Sequence, residues 1–187
     1  MKMKKFVAGV AAAAMLTLSM GAFVGCGQSD EEVIREALTE ELESIKNQDA
    51  SYMAELSAEM GDAELASYGI DAADFMSKYL SGFDYSIDSV TVNGDTAEAV
   101  VTLTCKSFSD YEAAIEAETM NAIQTQDIYS MSDQDINLLV GQIMMTALDK
   151  GDAVPTTPIT IEYFKNGNTW EPTEASSDAI TSAMLSN

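Results

Sequence analysis

Apolar residues recur along this chain with two different periods, and the changes of period divide it into elements. Ile34, Leu38, Leu42 and Ile45 stand at helical spacing. Before them, Ser29-Asp30-Glu31-Glu32 sets a serine three residues ahead of a glutamate, the signature of a capping box. Together they predict a first helix to about Asn47. A weaker helical pattern through Tyr52, Met53, Leu56 and Met60 predicts a second helix, stopped by Gly61-Asp62. A third opens on Asp71 as N-cap, buries Ala72, Phe75, Met76, Tyr79 and Leu80, and ends near Gly82.

From residue 84 the period drops to two. Tyr85 and Ile87 alternate in one phase and Val90 and Val92 in the next, so a bulge is expected between them. Asn93-Gly94 then predicts a type I′ hairpin turn, which needs positive φ at both central residues. The returning strand places Ala97, Ala99, Val101, Leu103 and Cys105 on one face, with Thr102, Thr104 and Lys106 on the other.

Ser109-Asp110-Tyr111-Glu112 reads as another capping box, opening a helix to about Gln126. Ser132 and Asp135 open a further helix to about Lys150. A loop punctuated by Pro155 and Pro158 follows. Ile159, Ile161 and Tyr163 face inward on a late strand, Asn166-Gly167 turns it, and Trp170 sits on a short return strand. A closing helix starts at Ser176 or Ser177, with Ile180, Ala183 and Met184 on its apolar stripe. Three helices, a hairpin, two helices, a hairpin and one helix predict an α+β domain. Its antiparallel curved sheet of about four strands packs against helices, and a helical insertion separates the two hairpins.

The amino-terminal segment lies outside this pattern. Lys2, Lys4 and Lys5 precede an apolar stretch from Phe6 to about Ala22, which ends in Phe23-Val24-Gly25-Cys26. This resembles the lipobox of bacterial lipoprotein precursors, with Phe23 where leucine is usual. The resemblance implies a signal peptide over residues 1–25, lipidation of Cys26, a short linker over 26–29, and a single domain over 30–187. An uncleaved anchor, since the apolar run approaches the roughly 20 residues that span a bilayer, or free secretion are the competing readings. All three place the domain outside the cytoplasm. Acyl chains on Cys26 would hold it to the outer face of the membrane, because two chains anchor stably where one does not.

Removing residues 1–25 leaves 31 acidic residues against 6 basic ones, a net charge near −25. Nucleic acid is thereby excluded as a partner, because its binding depends on lysine and arginine neutralising phosphates. A basic patch gripping anionic lipid is excluded too, which leaves the lipid anchor as the expected membrane contact. With Cys26 claimed by lipid no disulfide framework is expected, and Cys105 continues the apolar face of a strand as a core thiol. The chain has no histidine, which removes the usual general base and the commonest metal ligand.

Candidate chemistry is correspondingly thin. Asp133-Gln134-Asp135-Ile136-Asn137 matches the start of an EF-hand loop. It has Leu138 where the sharp turn needs glycine and Met144 where calcium needs a bidentate glutamate, so no metal is expected there. Asp84 with Tyr85, or Glu162 with Tyr163, supplies the residue types of an isomerase dyad. Neighbouring strand residues point to opposite faces, however, so neither pair acts as a unit. No cofactor and no catalytic residue is expected.

The helix over 136–148 is the unusual feature. Ile136, Leu139, Val140, Ile143 and Ala147 make one apolar face of a helix apolar nearly all round, and such a helix is expected to be buried. Leu138, Met144, Met145 and Leu148 extend apolar surface to other sides and are candidate interface residues for an envelope protein or a second copy, as a homodimer. Tyr85, Tyr163 and Trp170 are the candidate lining of a pocket.

The early helices, the V-T-V-N-G-D-T-A-E-A-V-V-T-L hairpin and the late K-N-G-N-T-W strand resemble small lipoproteins with the nuclear-transport-factor-2-like, or cystatin-like, cone fold. The similarity spans most of residues 30–172. It implies a sheet curled around a helix with a pocket at the open end. Such domains include enzymes, binders and dimerisation modules, so the resemblance fixes no activity. A non-catalytic domain binding a small molecule or peptide is the first expectation. An interaction or dimerisation module using helix 136–148 is the second, and an acid–base enzyme of the isomerase kind the third.

Overall fold

The computed structural model describes residues 29–60 and 65–186; the expected signal peptide and the expected lipidation site Cys26 lie outside the described residues. Among the described residues, helices α1 (Asp30–Lys46), α2 (Ala50–Met60) and α3 (Ala72–Tyr79) come first. They are followed by strands β1 (Asp84–Asn93) and β2 (Thr96–Lys106), then by helices α4 (Phe108–Thr125) and α5 (Asp133–Lys150). Strands β3 (Ala153–Pro155), β4 (Ile159–Asn166) and β5 (Thr169–Pro172) and helix α6 (Glu174–Ser186) complete the chain.

The class is α+β, with one antiparallel sheet in the order β1-β2-β4-β5 and β3 also paired to β2. The strands therefore number five, not four. The additional one comes from the proline-punctuated stretch expected as loop. Pro155 pairs with Thr104, and Thr156 carries the ladder onward: Leu103 N–H donates to its Oγ1 and its own N–H donates to Leu103 O. Residues 153–166 thus run along one edge of β2 as a single strand broken near Pro158, which has no N–H to give a ladder.

The bulge expected in β1 is present as a register shift between Ile87 and Ser89. Both hairpin turns differ from expectation by one residue. Asn93 pairs with Thr96 and Asn166 with Thr169, so Gly94-Asp95 and Gly167-Asn168 are the turn centres. Positive φ is needed only at the glycines, +66° at Gly94 and +65° at Gly167, as in turns that lead with glycine (type II′). A Cβ at either glycine would meet nothing within 4 Å, so only backbone strain opposes a side chain. Gly94→Ala and Gly167→Ala should each cost about 1 kcal/mol in urea unfolding; a neutral alanine at both would refute the turn assignment.

Two helix starts also move. Ser107, not Ser109, caps α4, its side chain accepting from Asp110 N–H. Helix α6 begins at Glu174. Ser176 is buried inside it, accepting from Glu162 N–H and donating to Glu162 O, so this serine satisfies backbone of β4 that β5 does not reach.

The sheet buries one face. Ala97, Ala99, Val101, Leu103 and Cys105 of β2 join Val90, Ile159, Ile161, Tyr163 and Trp170 in the core, while Glu98, Thr160 and Glu162 face out. Helix α1 rests on β1 and α6 on β4. Lys106, expected on the outer face, is buried instead. Its Nζ donates to Leu148 O (2.8 Å) and Gly151 O (2.7 Å), carbonyls that the end of α5 leaves without partners.

Candidate functional site

Helices α4 and α5 form an antiparallel hairpin joined by residues 126–132, which include a 3-10 turn at Ile128–Ser130. Between them runs a groove of about 440 Å³. Ile115, Thr119, Ala122 and Ile123 make one wall, at helical spacing on α4. Ile136, Leu139, Val140 and Ile143 make the other, with Met144 behind them and Ile128 and Tyr129 at the turn end. Apart from the hydroxyls of Thr119 and Tyr129, this surface is hydrocarbon and thioether. Tyr129 is 96% exposed and Ile123 50%, and Met120, Ile136 and Val140 are exposed as well. Most of the large apolar side chains exposed among the described residues thus gather on this helix pair.

Helix α5, expected to be buried nearly all round, is open on one side. Ile136, Leu139, Val140 and Ile143 line the groove, and none of them is buried. The core side carries Gly141, Met144, Ala147 and Leu148. Met144 and Leu148, candidate interface residues, are therefore buried; Met145 is half-buried, and Leu138 is exposed beside Gly69. Gly141 explains the choice. A Cβ there would lie 2.0 Å from Tyr68 O and 3.3 Å from Ile70 Cγ1. Only the glycine side of a helix apolar all round can approach the backbone of the 65–70 turn so closely. The α4 wall had no clear signature, since threonine and alanine dilute its stripe.

The aromatic candidates do not meet around this groove. Tyr163 and Trp170 are each 1% exposed within the core. Tyr85 is half-buried on β1 and donates to Glu43 Oε1 at 2.9 Å; burial, then that contact, pushes its phenol up to about 12. Trp170 instead secures the start of the domain. Its Nε1 donates to Asp30 Oδ1 (3.3 Å) while Lys165 Nζ, 5.2 Å above the indole, donates to Asp30 Oδ2 (2.7 Å). The Lys165 bond, then the Trp170 bond, holds the Asp30 carboxyl below its ordinary value.

One polar group stands out within the core. Both carboxylate oxygens of Glu41 on α1 are buried without a hydrogen-bond partner, as is the Tyr163 hydroxyl. Burial pushes the Glu41 carboxyl up from 4.5 to about 8, and burial followed by the neighbouring Glu41 raises Tyr163. The sequence carried this signal: Glu41 sits three residues after Leu38 and four before Ile45, on the apolar stripe itself.

The acids at 133–135 serve the helix start. Ser132 and Asp135 complete a reciprocal capping box. Among the described residues no group of three or more His, Cys, Asp or Glu is placed to hold a metal ion. No described helix is long and apolar enough to cross a membrane.

These features define an α+β domain with a one-sided five-stranded sheet and a grooved helical hairpin between its two β-hairpins. In comparisons with known proteins, the chain is similar in fold to the crystal structure of YcdA, a candidate lipoprotein of Bacillus subtilis, at 13% identity and a TM-score of 0.50. The match covers 98% of this chain and 58% of that one, so the chain spans under two thirds of the YcdA structure. Neither a protein-family model nor a curated protein sequence matches the chain.

Proposed function

We propose that this chain is an extracytoplasmic lipoprotein, anchored through Cys26, whose domain binds without catalysis an apolar molecule or the apolar side chains of a peptide. The observation that carries the reading is the α4–α5 groove of about 440 Å³, a volume within the range of small-molecule sites. Its walls offer dispersion contacts and desolvation, with Thr119 and Tyr129 to orient an occupant. No carboxylate, lysine or cysteine lines it, which supports a binding role over a catalytic one. The anchoring part of the reading is supported by the lipobox-like segment and by the likeness in fold to a candidate lipoprotein.

Kinship with cone-shaped nuclear-transport-factor-2-like domains belongs to the same proposal. Its support is the antiparallel sheet with helices on one face and hairpins on either side of a helical insertion. In this reading the inserted hairpin, rather than the sheet aromatics, carries the binding site.

Native mass spectrometry of the domain, purified from its host envelope without denaturant, tests the reading. A retained small molecule or peptide, lost on Val140→Asp, is expected. A bare protein that also fails to enhance the emission of a neutral solvatochromic dye would refute it.

A further inference from the structure

The charge around the groove narrows its occupant. Residues 108–150 hold eight carboxylates and one base, Lys150, which is engaged with Glu118. Glu116 on α4, Asp127 in the connection and Asp133 at the start of α5 are exposed. Glu116 and Asp127 adjoin the lining residues Ile115 and Ile128 in the chain, and Asp133 stands one turn before Ile136, so the apolar trough with these acids beside it matches a ligand that is apolar on one side and cationic on the other.

Its dimensions are those of a helix face. From position 115 to position 123 is a rise of about 12 Å along the helix axis. That length takes the side chains at i, i+3 or i+4, and i+7 of an incoming helix, which would lie between α4 and α5 as the third member of a bundle. A second copy of this chain is disfavoured, since each mature chain carries a net charge near −25 and would present the same acidic borders. An anionic lipid surface is disfavoured by the same repulsion.

We propose that the α4–α5 groove receives a basic amphipathic helix of a partner protein, three apolar anchors in the trough and Lys or Arg over its borders. This rests on the groove being a binding site. The partner class is thus an envelope or exported protein with a cationic amphipathic segment.

The test uses the lipid-free mature chain and two fluorescein-labelled 18-residue peptides. Both carry Leu at i, i+3, i+4 and i+7, with Lys on the opposite face of one and Gln in the other. In anisotropy titrations at low salt the Lys peptide should bind at least about tenfold more tightly than the Gln peptide, and the advantage should shrink as salt rises. The double variant Ile123→Asp with Val140→Asp sharpens the result. Both positions are exposed, so the fold should survive with little change in Tm. Those aspartates strengthen any merely electrostatic attraction, yet should weaken the Lys peptide by about tenfold or more if the groove holds its apolar side. Unchanged or tighter binding by the variant overturns the proposal. Equal binding of both peptides overturns the cationic part and leaves an apolar groove. Dye binding with neither peptide bound overturns the helix and keeps the proposed function; no binding of dye or peptides removes both. A concentration-dependent dimer in sedimentation that is lost in the double variant would assign the groove to a second copy.

Discussion

Glu41→Gln should stabilise the domain at neutral pH, by roughly 3 kcal/mol at pH 7. The wild-type carboxyl lies among the core residues of α1, both oxygens buried and without hydrogen-bond partners, and burial pushes it up to about 8. The direction of the pH effect follows from linkage. In the unfolded chain the group ionises near 4.5, whereas in the folded chain it keeps its proton to about 8. Folding therefore costs a proton uptake whose free energy grows by about 1.4 kcal/mol per pH unit between those values. Stability associated with this group is fully present below pH 4.5 and declines as pH rises toward 8. Glutamine cannot ionise, so the two proteins should have similar stability near pH 4 and diverge steadily above it. For a domain of this size the gap at pH 7 corresponds to about 6–12 °C in Tm. Glu41→Met, which leaves no polar atom to desolvate, should gain at least as much. Urea unfolding from pH 4 to 8 is the measurement. Parallel pH curves for wild type and Glu41→Gln would mean that the carboxyl reaches water or a partner, contrary to this account. A carboxyl kept at such a cost on a core stripe is a departure from local consistency of the kind associated with function. The α4–α5 groove does not use it.

Gly141→Ala should be the most damaging of the small substitutions, destabilising by about 3 kcal/mol or more. The added methyl would begin 2.0 Å from Tyr68 O, a backbone atom in the 65–70 turn that cannot rotate away. Either the turn or α5 must shift. Such a shift would move the core side of α5, at Met144, Ala147 and Leu148, together with the groove wall opposite it. The variant should therefore lose stability and groove binding together. Val140→Asp, at an exposed groove position on the same helix, should lose binding alone. Helix propensity works in the other direction, since alanine is favoured over glycine in a helix interior by about 1 kcal/mol. A neutral or stabilised Gly141→Ala would show that the turn is not held against α5.

Most elements were legible because their apolar patterns are unambiguous. The α1 stripe, the β2 alternation and the Ser132/Asp135 cap each point to one answer, and the structure adopts it. The misplacements have local causes. At the start of α4 the cap is Ser107, whose side chain accepts from Asp110 N–H; it stands two residues ahead of the serine expected, and Ser109 falls inside the first turn. In both hairpins the asparagine pairs in the ladder, so the turn leads with glycine. Strand β3 was hidden by its proline, which can end a strand as readily as mark a loop.

By itself the sequence determined the α+β class, the order of the elements, the inward face of the sheet, the acidity of the chain and the lipobox-like resemblance at its start. Each depends on residues close together in the chain, where period, capping and charge act locally. Only the tertiary structure decided where the candidate groove lies. Helix α5 is apolar nearly all round, so its period names no buried side; that side is chosen by the close approach of Gly141 to the backbone at Tyr68, more than 70 residues earlier in the chain. The same contact turns Ile136, Val140 and Ile143 toward α4 and makes a groove of residues that the pattern alone expects to be buried. Contacts between distant segments, not periodicity, determine which apolar surface is left exposed.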